Sequence, residues 1–273
     1  MRTVSESAFS RMNSCDNLCL GLTTQVHAWR FSLIQRQDVI ARLFETLSAD
    51  EIARIERLHF PEHREKAVVA RGVLRTILGE YLDMPASKLN FFYGEAGKPA
   101  LNFQTQTKLE FNLTHSHQEG VLAITCGRTL GVDIEYLNAQ SEFGELANRF
   151  FSLAEVRLLE EIDPARRNLA FYHIWVQKEA YLKALGQGLS IPLNSFSVSV
   201  DPDLSARLIK ASDHIEGAQA DWLIHRINVP KNYVGAIAVD GDGLELVYFD
   251  WCAREHLAIK GSLKKFFNLS SDR

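Results

Sequence analysis

The feature that most constrains the fold of this chain is an internal repeat. Residues 78–85, LGEYLDMP, match residues 185–192, LGQGLSIP, without a gap and at an offset of 107 residues (192 − 85). Each copy follows a predicted helix and precedes a predicted strand, LNFFY or FSVSV. A repeat of this length is not a solenoid unit. It predicts an α+β fold of two lobes related by a pseudo-two-fold axis, each packing a small, mostly antiparallel sheet against a long helix.

The repeat also predicts where the lobes divide. VLAITCGRTLGVDIEYL in the first half resembles VGAIAVDGDGLELVYF in the second, so each lobe is expected to end in two strands, joined in the first lobe at Gly127 and Arg128. The polar residues 138–141 then link an N-terminal lobe of residues 21–137 to a C-terminal lobe of residues 138–251. Residues 1–20, which lack the apolar core of a signal peptide, are expected to be a mobile tail, and residues 252–273 a C-terminal extension.

Composition narrows the possible functions. The 273 residues are 46% hydrophobic and 23% charged, which is ordinary for a globular protein. The net charge of -4 gives no electrostatic reason to expect nucleic acid as a partner, and no apolar run approaches the length of a membrane span. The four cysteines do not have zinc-finger spacing, so no zinc site is expected from them. Free thiols in a reducing cytoplasm are the default expectation.

The stretch at residues 171–192, FYHIWVQKEAYLKALGQGLSIP, has the spacing of a helix buried along one side and ended by Gly186. Glu179 and Lys183 stand four residues apart, so they lie one turn apart on the same helix face. Such a pair is ordinarily a surface ion pair worth about 0.2–0.5 kcal/mol. Its position between Trp175 and the glycine-rich end of the helix favours a functional pair instead.

A second acidic pair lies in the segment GVDIE. Residues two apart in a strand point to the same face, so Asp133 and Glu135 project together. Neighbouring carboxylates in a half-buried strand repel each other unless a cation is present, and Mg²⁺ prefers carboxylates combined with phosphate oxygens. Glu179 is the expected third carboxylate; at the repeat offset it corresponds to Gly72, so this acidic set occurs once. The alternative is that Asp133 and Glu135 form salt bridges with the basic helix at residues 61–81.

A histidine and two hydroxyls follow the end of a predicted strand. His115 lies between Thr114 and Ser116, and these side chains can bind a phosphate group by hydrogen bonds. A zinc site formed by His115 and His117 is the competing interpretation, but it lacks a third ligand at recognisable spacing. The sequence therefore favours phosphate binding at this point.

Three further cations are candidates for binding phosphate. Lys98 lies in the turn GEAGKP, and Arg71 and Arg75 stand one turn apart on the basic helix. Turn lysines and basic helix faces commonly serve only to keep a surface solvated, and that interpretation stays open. Combined with the carboxylates, these residues predict a Mg²⁺-dependent site for a polyphosphate compound.

At this point the sequence resembles a known family. GVDIE and WVQKEAYLKALGQGL resemble the two signature motifs of 4'-phosphopantetheinyl transferases of the surfactin-synthetase-activating (Sfp) type. GKPAL, FNLTHS and ARGVLR resemble three further blocks of that family, and the similarity runs from about residue 48 to residue 200. The resemblance implies two pseudo-symmetric α+β lobes with coenzyme A bound in the cleft between them.

The resemblance also implies roles for individual residues. The Mg²⁺ ligands would be Asp133, Glu135 and Glu179. The pyrophosphate of coenzyme A would contact Lys183 and His115, with Thr114 alongside. The candidates for the 3'-phosphate end would be Arg54, Arg71, Arg75 and Lys98. The sequence departs from the family at Glu51 and Ala67, where some members have a lysine and a threonine that face coenzyme A.

The implied reaction transfers 4'-phosphopantetheine from coenzyme A to a serine of an apo carrier protein and releases 3',5'-ADP. Glu179 would accept the serine proton, directly or through a water, and Lys183 would stabilise the leaving phosphate. The duplicated lobes predict a monomer. Two other classes would use the same residues, namely a Mg²⁺-dependent nucleotide phosphodiesterase or pyrophosphatase without a protein partner, and a non-catalytic coenzyme A-binding protein.

Overall fold

The structure, a computed structural model, describes residues 22–94, 97–101, 108–138, 143–187, 190–210 and 221–251. The predicted tail at residues 1–20 and the predicted extension at residues 252–273 lie outside the described residues, so both stay predictions. None of the helices in these ranges is long and apolar enough to cross a membrane.

The N-terminal half contains one long helix and a set of strands. The helices and strands are β1 (Gln25–Ser32), α1 (Gln37–Phe44), α2 (Ala49–Glu56), α3 (Pro61–Tyr81), β2 (Phe91–Tyr93), β3 (Pro99–Leu101), β4 (Leu109–Ser116) and β5 (Glu119–Cys126). Ser48 caps α2, and the side chain of Glu51 accepts a hydrogen bond from the Ser48 backbone N–H at 3.1 Å, as in a capping box. α3 begins at Pro61, where the missing N–H costs no helical hydrogen bond.

The C-terminal half repeats this order. Its helices and strands are β6 (Leu130–Tyr136), α4 (Phe143–Phe150), α5 (Leu153–Glu161), α6 (Pro164–Leu185), β7 (Ser197–Val198), β8 (Leu208–Lys210), β9 (Trp222–Arg226), β10 (Tyr233–Asp240) and β11 (Glu245–Asp250). α6 is the helix predicted around Glu179 and Lys183. Gly186 ends it with a φ of 69°, a left-handed conformation that glycine adopts without strain.

The strands pair across the predicted boundary between the lobes. A four-stranded sheet has the order β11-β1-β5-β4, and a three-stranded sheet has the order β6-β10-β9. The prediction that β6 completes the first lobe is wrong, because β6 pairs antiparallel with β10, while β11 pairs parallel with β1. The chain therefore passes from one sheet to the other at Gly127 and Arg128, where the sequence predicted paired strands. The other limits of the two lobes stay a prediction.

The packing of apolar side chains explains why β6 joins the second sheet and not the first. One buried cluster surrounds α3, a second surrounds α6, and a third lies between the two sheets. The third cluster contains Val132 and Ile134 of β6 and Val121 and Ala123 of β5, so β6 lies across from β5 rather than beside it. Because side chains alternate along a strand, the opposite face of β6 is left for its carboxylates.

Two buried ion pairs repeat in the two halves. In the N-terminal half, Arg75 donates to Glu51 at 2.6 Å and also to the carbonyl oxygens of Ala86 and Leu89, both at 2.9 Å. Arg75 is 1% exposed. This placement contradicts the prediction that Arg75 contacts phosphate, because its guanidinium is committed to the protein interior.

The C-terminal half contains the counterpart of this arrangement. Lys178 lies 2.8 Å from Glu155, and it donates to the carbonyl oxygens of Leu193 and Phe196, both at 2.7 Å. Glu155 belongs to a capping box with Ser152, just as Glu51 does with Ser48. The repeat thus includes a capping glutamate, a buried cation and two loop carbonyls.

The repeated ion pairs shift the alignment of the two long helices. Lys178 follows Arg75 by 103 residues (178 − 75), four fewer than the offset at Pro85 and Pro192. Four residues are about one helical turn. Glu179 therefore corresponds to Thr76, not to Gly72 as the sequence alignment predicted, and the set of three carboxylates still occurs once.

One cysteine departs from the expected state. The sequence predicted free thiols, but Cys126 at the end of β5 is disulfide-bonded in the structure.

Candidate active site

Alternate side chains of β4 join the two sheets. Asn112 Oδ1 accepts a hydrogen bond from the backbone N–H of Val132 at 2.9 Å. Thr114 donates to Oδ1 of Asp133 at 3.2 Å, and Ser116 donates to Oε2 of Glu135 at 2.8 Å. The three β4 residues point to one face because side chains alternate along a strand. This face of β4 therefore fixes the two carboxylates of β6.

Lys183 binds the same two strands from α6. Its ammonium nitrogen lies 2.5 Å from Oδ1 of Asp133 and 3.1 Å from the hydroxyl oxygen of Thr114. The close approach depends on Gly131, where an added Cβ would lie 2.1 Å from the carbonyl oxygen of Ala180. Glycine lets the β6 backbone rest directly on the last turns of α6. The sequence-predicted residues Asp133, Thr114 and Lys183 are thus in direct contact.

The charges of Asp133 and Lys183 also affect the pKa of Glu179. Burial raises the pKa of the Glu179 carboxyl, and the negative charge of Asp133 raises it further, while Lys183 lowers it. Burial and then the charge of Asp133 likewise raise the pKa of Glu135. Three carboxylates that repel one another in a half-buried cleft provide a place where a cation is favoured. The charges of Asp133, Glu135 and Glu179 therefore act on one another, and their shared binding of one metal ion stays a prediction.

Asp133, Glu135 and Glu179 offer only carboxylate oxygens. As the described residues are placed, no group of three or more His, Cys, Asp or Glu side chains could hold a metal ion. Asp133 nevertheless keeps one oxygen, Oδ2, that is buried and has no hydrogen-bond partner within the described ranges, while Lys183 and Thr114 contact the other. A buried carboxylate oxygen without a donor is costly unless a cation binds it. The oxygen-only set of Asp133, Glu135 and Glu179 is of the kind that Mg²⁺ uses.

His115 lies on the other face of β4, opposite Thr114 and Ser116. Burial of the ring lowers the pKa of His115, and the positive charges of Lys183, Lys66 and Arg71 lower it further, although the residue keeps an exposed surface. Because those cations lie around a partly exposed histidine, the face attracts anions. His115 and Arg71, predicted independently from the sequence, belong to one cationic surface.

Arg71 continues this surface towards the hairpin of β2 and β3. Its guanidinium carbon lies 5.4 Å from the centre of the Tyr93 ring, and that of Arg54 lies 3.8 Å from the same ring. Within the described residues, Nη1 of Arg71 and the hydroxyl of Tyr93 are both buried without a hydrogen-bond partner. Arg54 is half exposed and forms an ion pair with Asp50 at 3.7 Å. The two predicted arginines therefore flank one aromatic ring.

Lys98 is placed differently from the prediction of phosphate contact. Its ammonium nitrogen donates to the carbonyl oxygen of Leu130 at 2.9 Å and to that of Lys183 at 3.0 Å. Burial lowers the pKa of Lys98, and the charge of Glu110 raises it. Lys98 is thus directed at the backbone where β6 begins and α6 ends.

Four participants were not predicted from the sequence, namely Asn112, Ser116 as a partner of Glu135, Lys66 and Tyr93. The two β4 residues carried a signal, because Asn112, Thr114 and Ser116 are polar side chains at every second position of a strand. Lys66 and Tyr93 carried none, since a lysine on a helix and an aromatic residue in a short strand are common in any sequence.

Comparison with known proteins agrees with this geometry. A model of the 4'-phosphopantetheinyl transferase superfamily matches residues 129–238, and a model of the 4'-phosphopantetheinyl transferase N-terminal region matches residues 33–127. The two matches meet where the chain passes from the first sheet to the second. The chain belongs to the 4'-phosphopantetheinyl transferases.

Individual relatives bear the same description. The chain is 37% identical over 228 residues to the 4'-phosphopantetheinyl transferase HetI of Nostoc sp., which covers 83% of this chain and 92% of that protein. It is 29% identical to the 4'-phosphopantetheinyl transferase Sfp of Bacillus subtilis, over 61% of this chain and 72% of that protein. A solved holo-(acyl-carrier-protein) synthase from Bacillus anthracis in complex with CoA is 22% identical, with a TM-score of 0.34, and covers 41% of this chain and 94% of that one.

Proposed function

We propose that this enzyme transfers 4'-phosphopantetheine from coenzyme A to a serine hydroxyl of an apo carrier protein and releases 3',5'-ADP, in the manner of the Sfp type. The observation that carries the proposal is the contact of Lys183 with Asp133 and Thr114, beside Glu135 and Glu179. One cation and three carboxylates at the junction of two sheets suit a reaction at a pyrophosphate.

The two ends of coenzyme A have separate binding regions in this proposal. The pyrophosphate lies beside Lys183 and His115, where an ammonium group and a ring nitrogen can donate to phosphate oxygens. The 3'-phosphate lies on the cationic surface formed by Arg71, Lys66 and Arg54. Support comes from the buried Nη1 of Arg71, which has no hydrogen-bond partner among the described residues and would gain one from a phosphate oxygen.

Asp133, Glu135 and Glu179 would hold Mg²⁺. When bound, the ion supplies positive charge to the pyrophosphate as negative charge develops on the leaving group. Thr114 and Ser116 keep Asp133 and Glu135 in position. The third carboxylate differs from these two, because within the described residues Glu179 makes no hydrogen bond or ion pair with another side chain.

The chain's own groups can move the proton and the charge of the reaction. The serine oxygen forms a bond to the β-phosphorus, and the bond from that phosphorus to the bridging oxygen breaks. Glu179, whose carboxylate forms no hydrogen bond or ion pair with another described side chain, accepts the serine proton directly or through a water. Lys183, one turn further along α6, stabilises the charge on the departing 3',5'-ADP.

The proposal extends to the cellular location, the oligomeric state and the protein partner of the enzyme. We propose a cytoplasmic location and a monomeric state. The monomer is supported by a single chain that supplies both sheets of the site and by the repeat, which provides the second lobe that a partner would otherwise give. The carrier protein would dock beside the cleft so that its serine lies in line with the β-phosphorus. The net charge of -4 supports no role for nucleic acid.

Mass spectrometry of a panel of apo carrier proteins tests the function. After incubation with coenzyme A, Mg²⁺ and the enzyme, at least one carrier should gain the mass of one phosphopantetheine on its serine, and the serine-to-alanine carrier should not. Hydrolysis of coenzyme A without any loading would favour the phosphodiesterase alternative. Tight binding of coenzyme A with neither loading nor hydrolysis would favour the non-catalytic alternative.

A further inference from the structure

Lys98 bridges the two chain segments that carry the central ion pair of the site. One of its acceptors, the carbonyl oxygen of Leu130, lies at the start of β6, three residues before Asp133. The other acceptor is the carbonyl oxygen of Lys183 itself. A single ammonium group therefore binds the backbone on both sides of the contact between Lys183 and Asp133.

The acceptor on α6 is one that the helix cannot satisfy alone. α6 ends at Leu185, so the carbonyl of Lys183 belongs to the last four, which have no intrahelical partner. The neighbouring carbonyl of Leu182 accepts from the N–H of Gly186 at 3.0 Å. Lys98 donates a hydrogen bond to the next carbonyl oxygen, that of Lys183. The positive charge of Lys98 also complements the negative end of the helix dipole.

The fold places Lys98 for this contact. Tyr93 pairs with Pro99 in the hairpin of β2 and β3, and the backbone N–H of Gly94 donates to the carbonyl oxygen of Lys98 at 3.2 Å. On the other side, the absence of a side chain at Gly131 lets β6 lie against the last turn of α6. The ammonium group therefore meets two backbone segments that are already in close contact.

We infer that Lys98 is a positioning residue, which sets the ammonium group of Lys183 against Asp133 and is not a ligand of the coenzyme A 3'-phosphate. The inference rests on the proposed function for its kinetic test. Losing both hydrogen bonds would free the last turn of α6 and shift Lys183 relative to the pyrophosphate. A displacement of about 1 Å at a reacting group can lower the rate about a hundredfold.

The test compares Lys98→Met with wild type in carrier-protein loading, using coenzyme A and dephospho-coenzyme A, which lacks the 3'-phosphate. We expect kcat to fall roughly tenfold to a hundredfold with both compounds. We expect KM for coenzyme A to stay within about twofold of wild type. Lys98→Arg, which can donate to two carbonyls, should recover most of the rate. Lys88→Met removes an exposed lysine elsewhere and should behave as wild type.

A double-substitution cycle identifies the residue through which Lys98 acts. If Lys98 works by placing Lys183, then Lys98→Met combined with Lys183→Met should be about as slow as Lys183→Met alone. If the fold-decrease in kcat of the double variant equals the product of the decreases in the two single variants, the inference is overturned. So would a large increase in KM for coenzyme A that disappears with dephospho-coenzyme A, because that pattern identifies a 3'-phosphate ligand.

Calorimetry separates this inference from the proposed function. The affinity for coenzyme A divided by the affinity for dephospho-coenzyme A should be the same in wild type and in Lys98→Met. In Arg71→Met, which removes a proposed 3'-phosphate ligand, this ratio should fall towards one. A wild type that binds both compounds but loads no carrier overturns the proposed function, while the ratio still decides the role of Lys98. A ratio near one in Lys98→Met overturns the inference even if wild type loads carriers.

Discussion

The hydroxyl oxygen of Thr114 lies 3.1 Å from the ammonium nitrogen of Lys183 and 3.2 Å from Oδ1 of Asp133. It accepts a hydrogen bond from the first and donates one to the second, so one threonine on β4 orients a cation of α6 and a carboxylate of β6. A serine hydroxyl can make the same two hydrogen bonds.

We therefore predict that Thr114→Ser keeps the loading activity and that Thr114→Val loses it. Valine has the shape of threonine but cannot bond to either charged group, and a hydrogen bond to a charged group is worth about 1.5–3 kcal/mol. Loading by Thr114→Val should be about tenfold to a hundredfold slower in steady-state kinetics. Equal rates for the serine and valine variants would contradict the role of this hydroxyl.

Glu179→Gln separates metal binding from proton transfer. The glutamine keeps the size and one oxygen of the side chain but loses the charge and the ability to accept the serine proton. A weakened metal site can be restored by mass action, so excess Mg²⁺ offsets that part of the loss. Proton transfer contributes typically 10²–10⁴-fold, so loading should stay about that much slower at saturating Mg²⁺ and coenzyme A.

Coenzyme A binding by the Glu179→Gln variant, measured by calorimetry, serves as the control and should persist. Recovery of the full wild-type rate at high Mg²⁺ would mean that Glu179 is a metal ligand only. Another group or a water would then have to accept the serine proton.

Arg75→Met tests the reassignment of Arg75 from phosphate binding to the protein interior. It leaves the buried carboxylate of Glu51 without its cation, which typically costs about 3–5 kcal/mol. We expect a clearly lower midpoint of thermal unfolding. In urea titration the free energy of unfolding should fall by about that amount.

Two matched variants give the contrast for Arg75→Met. Lys178→Met, which breaks the equivalent pair in the other half, should destabilise the protein to a similar extent. Arg54→Met, on the surface beside Tyr93, should leave the unfolding midpoint nearly unchanged. Normal stability of Arg75→Met with weakened coenzyme A binding would return Arg75 to the list of phosphate ligands.

His27 predicts how stability depends on pH. The indole N–H of Trp29 donates to the hydroxyl of Tyr81 at 2.9 Å, and the same hydroxyl lies 2.5 Å from Nδ1 of His27. His27 is 2% exposed, and burial lowers its pKa to about 4 from its ordinary 6.5. The folded protein therefore holds a neutral His27 ring above pH 4.

The sign of the effect follows from this pKa. Between pH 6.5 and 4 the unfolded chain binds a proton at this position and the folded chain does not, so stability falls as the pH falls. The loss from His27 reaches up to about 3 kcal/mol near pH 4. In urea unfolding at several pH values, His27→Gln, whose amide can form a hydrogen bond with the Tyr81 hydroxyl but does not titrate, should lose less stability than wild type over this range. His173, whose pKa is also lowered to about 4, is present in both proteins and cancels in the comparison. Parallel pH profiles would contradict the neutral, buried state of His27.

Residues whose positions follow from periodicity could be predicted from the sequence. Asp133 and Glu135 were expected to share a strand face, and one face of β4 does bond to both. Lys183, expected on the helix face of Glu179, contacts Asp133. The capping box at Ser48 was also visible, because it depends on residues only three apart. Local spacing therefore predicts which side chains point together.

Contacts made with the backbone could not be predicted in this way. Arg75 and Lys98 were both expected to bind phosphate, yet each donates to two carbonyl oxygens, and carbonyls occur at every residue and leave no pattern in the sequence. The pairing of β6 with β10 in the second sheet could not be predicted for a related reason. The alternation of Val132 and Ile134 shows that one face is buried, but it does not say against which sheet.

The parallel pairing of β11 with β1 has a consequence for synthesis of the chain on the ribosome. The register joins Gln25 to Glu245 and Arg30 to Asp250, so 220 residues separate the paired positions (245 − 25). At elongation rates of about 5–20 residues per second, this separation corresponds to roughly 10 to 45 seconds. During that time one edge of β1 lacks its partner in the nascent chain, even after β5 has been made and covers the other edge. The first sheet to begin forming is therefore completed only after the second half has been translated, which makes the open edge of β1 the place where a newly made chain needs protection from aggregation.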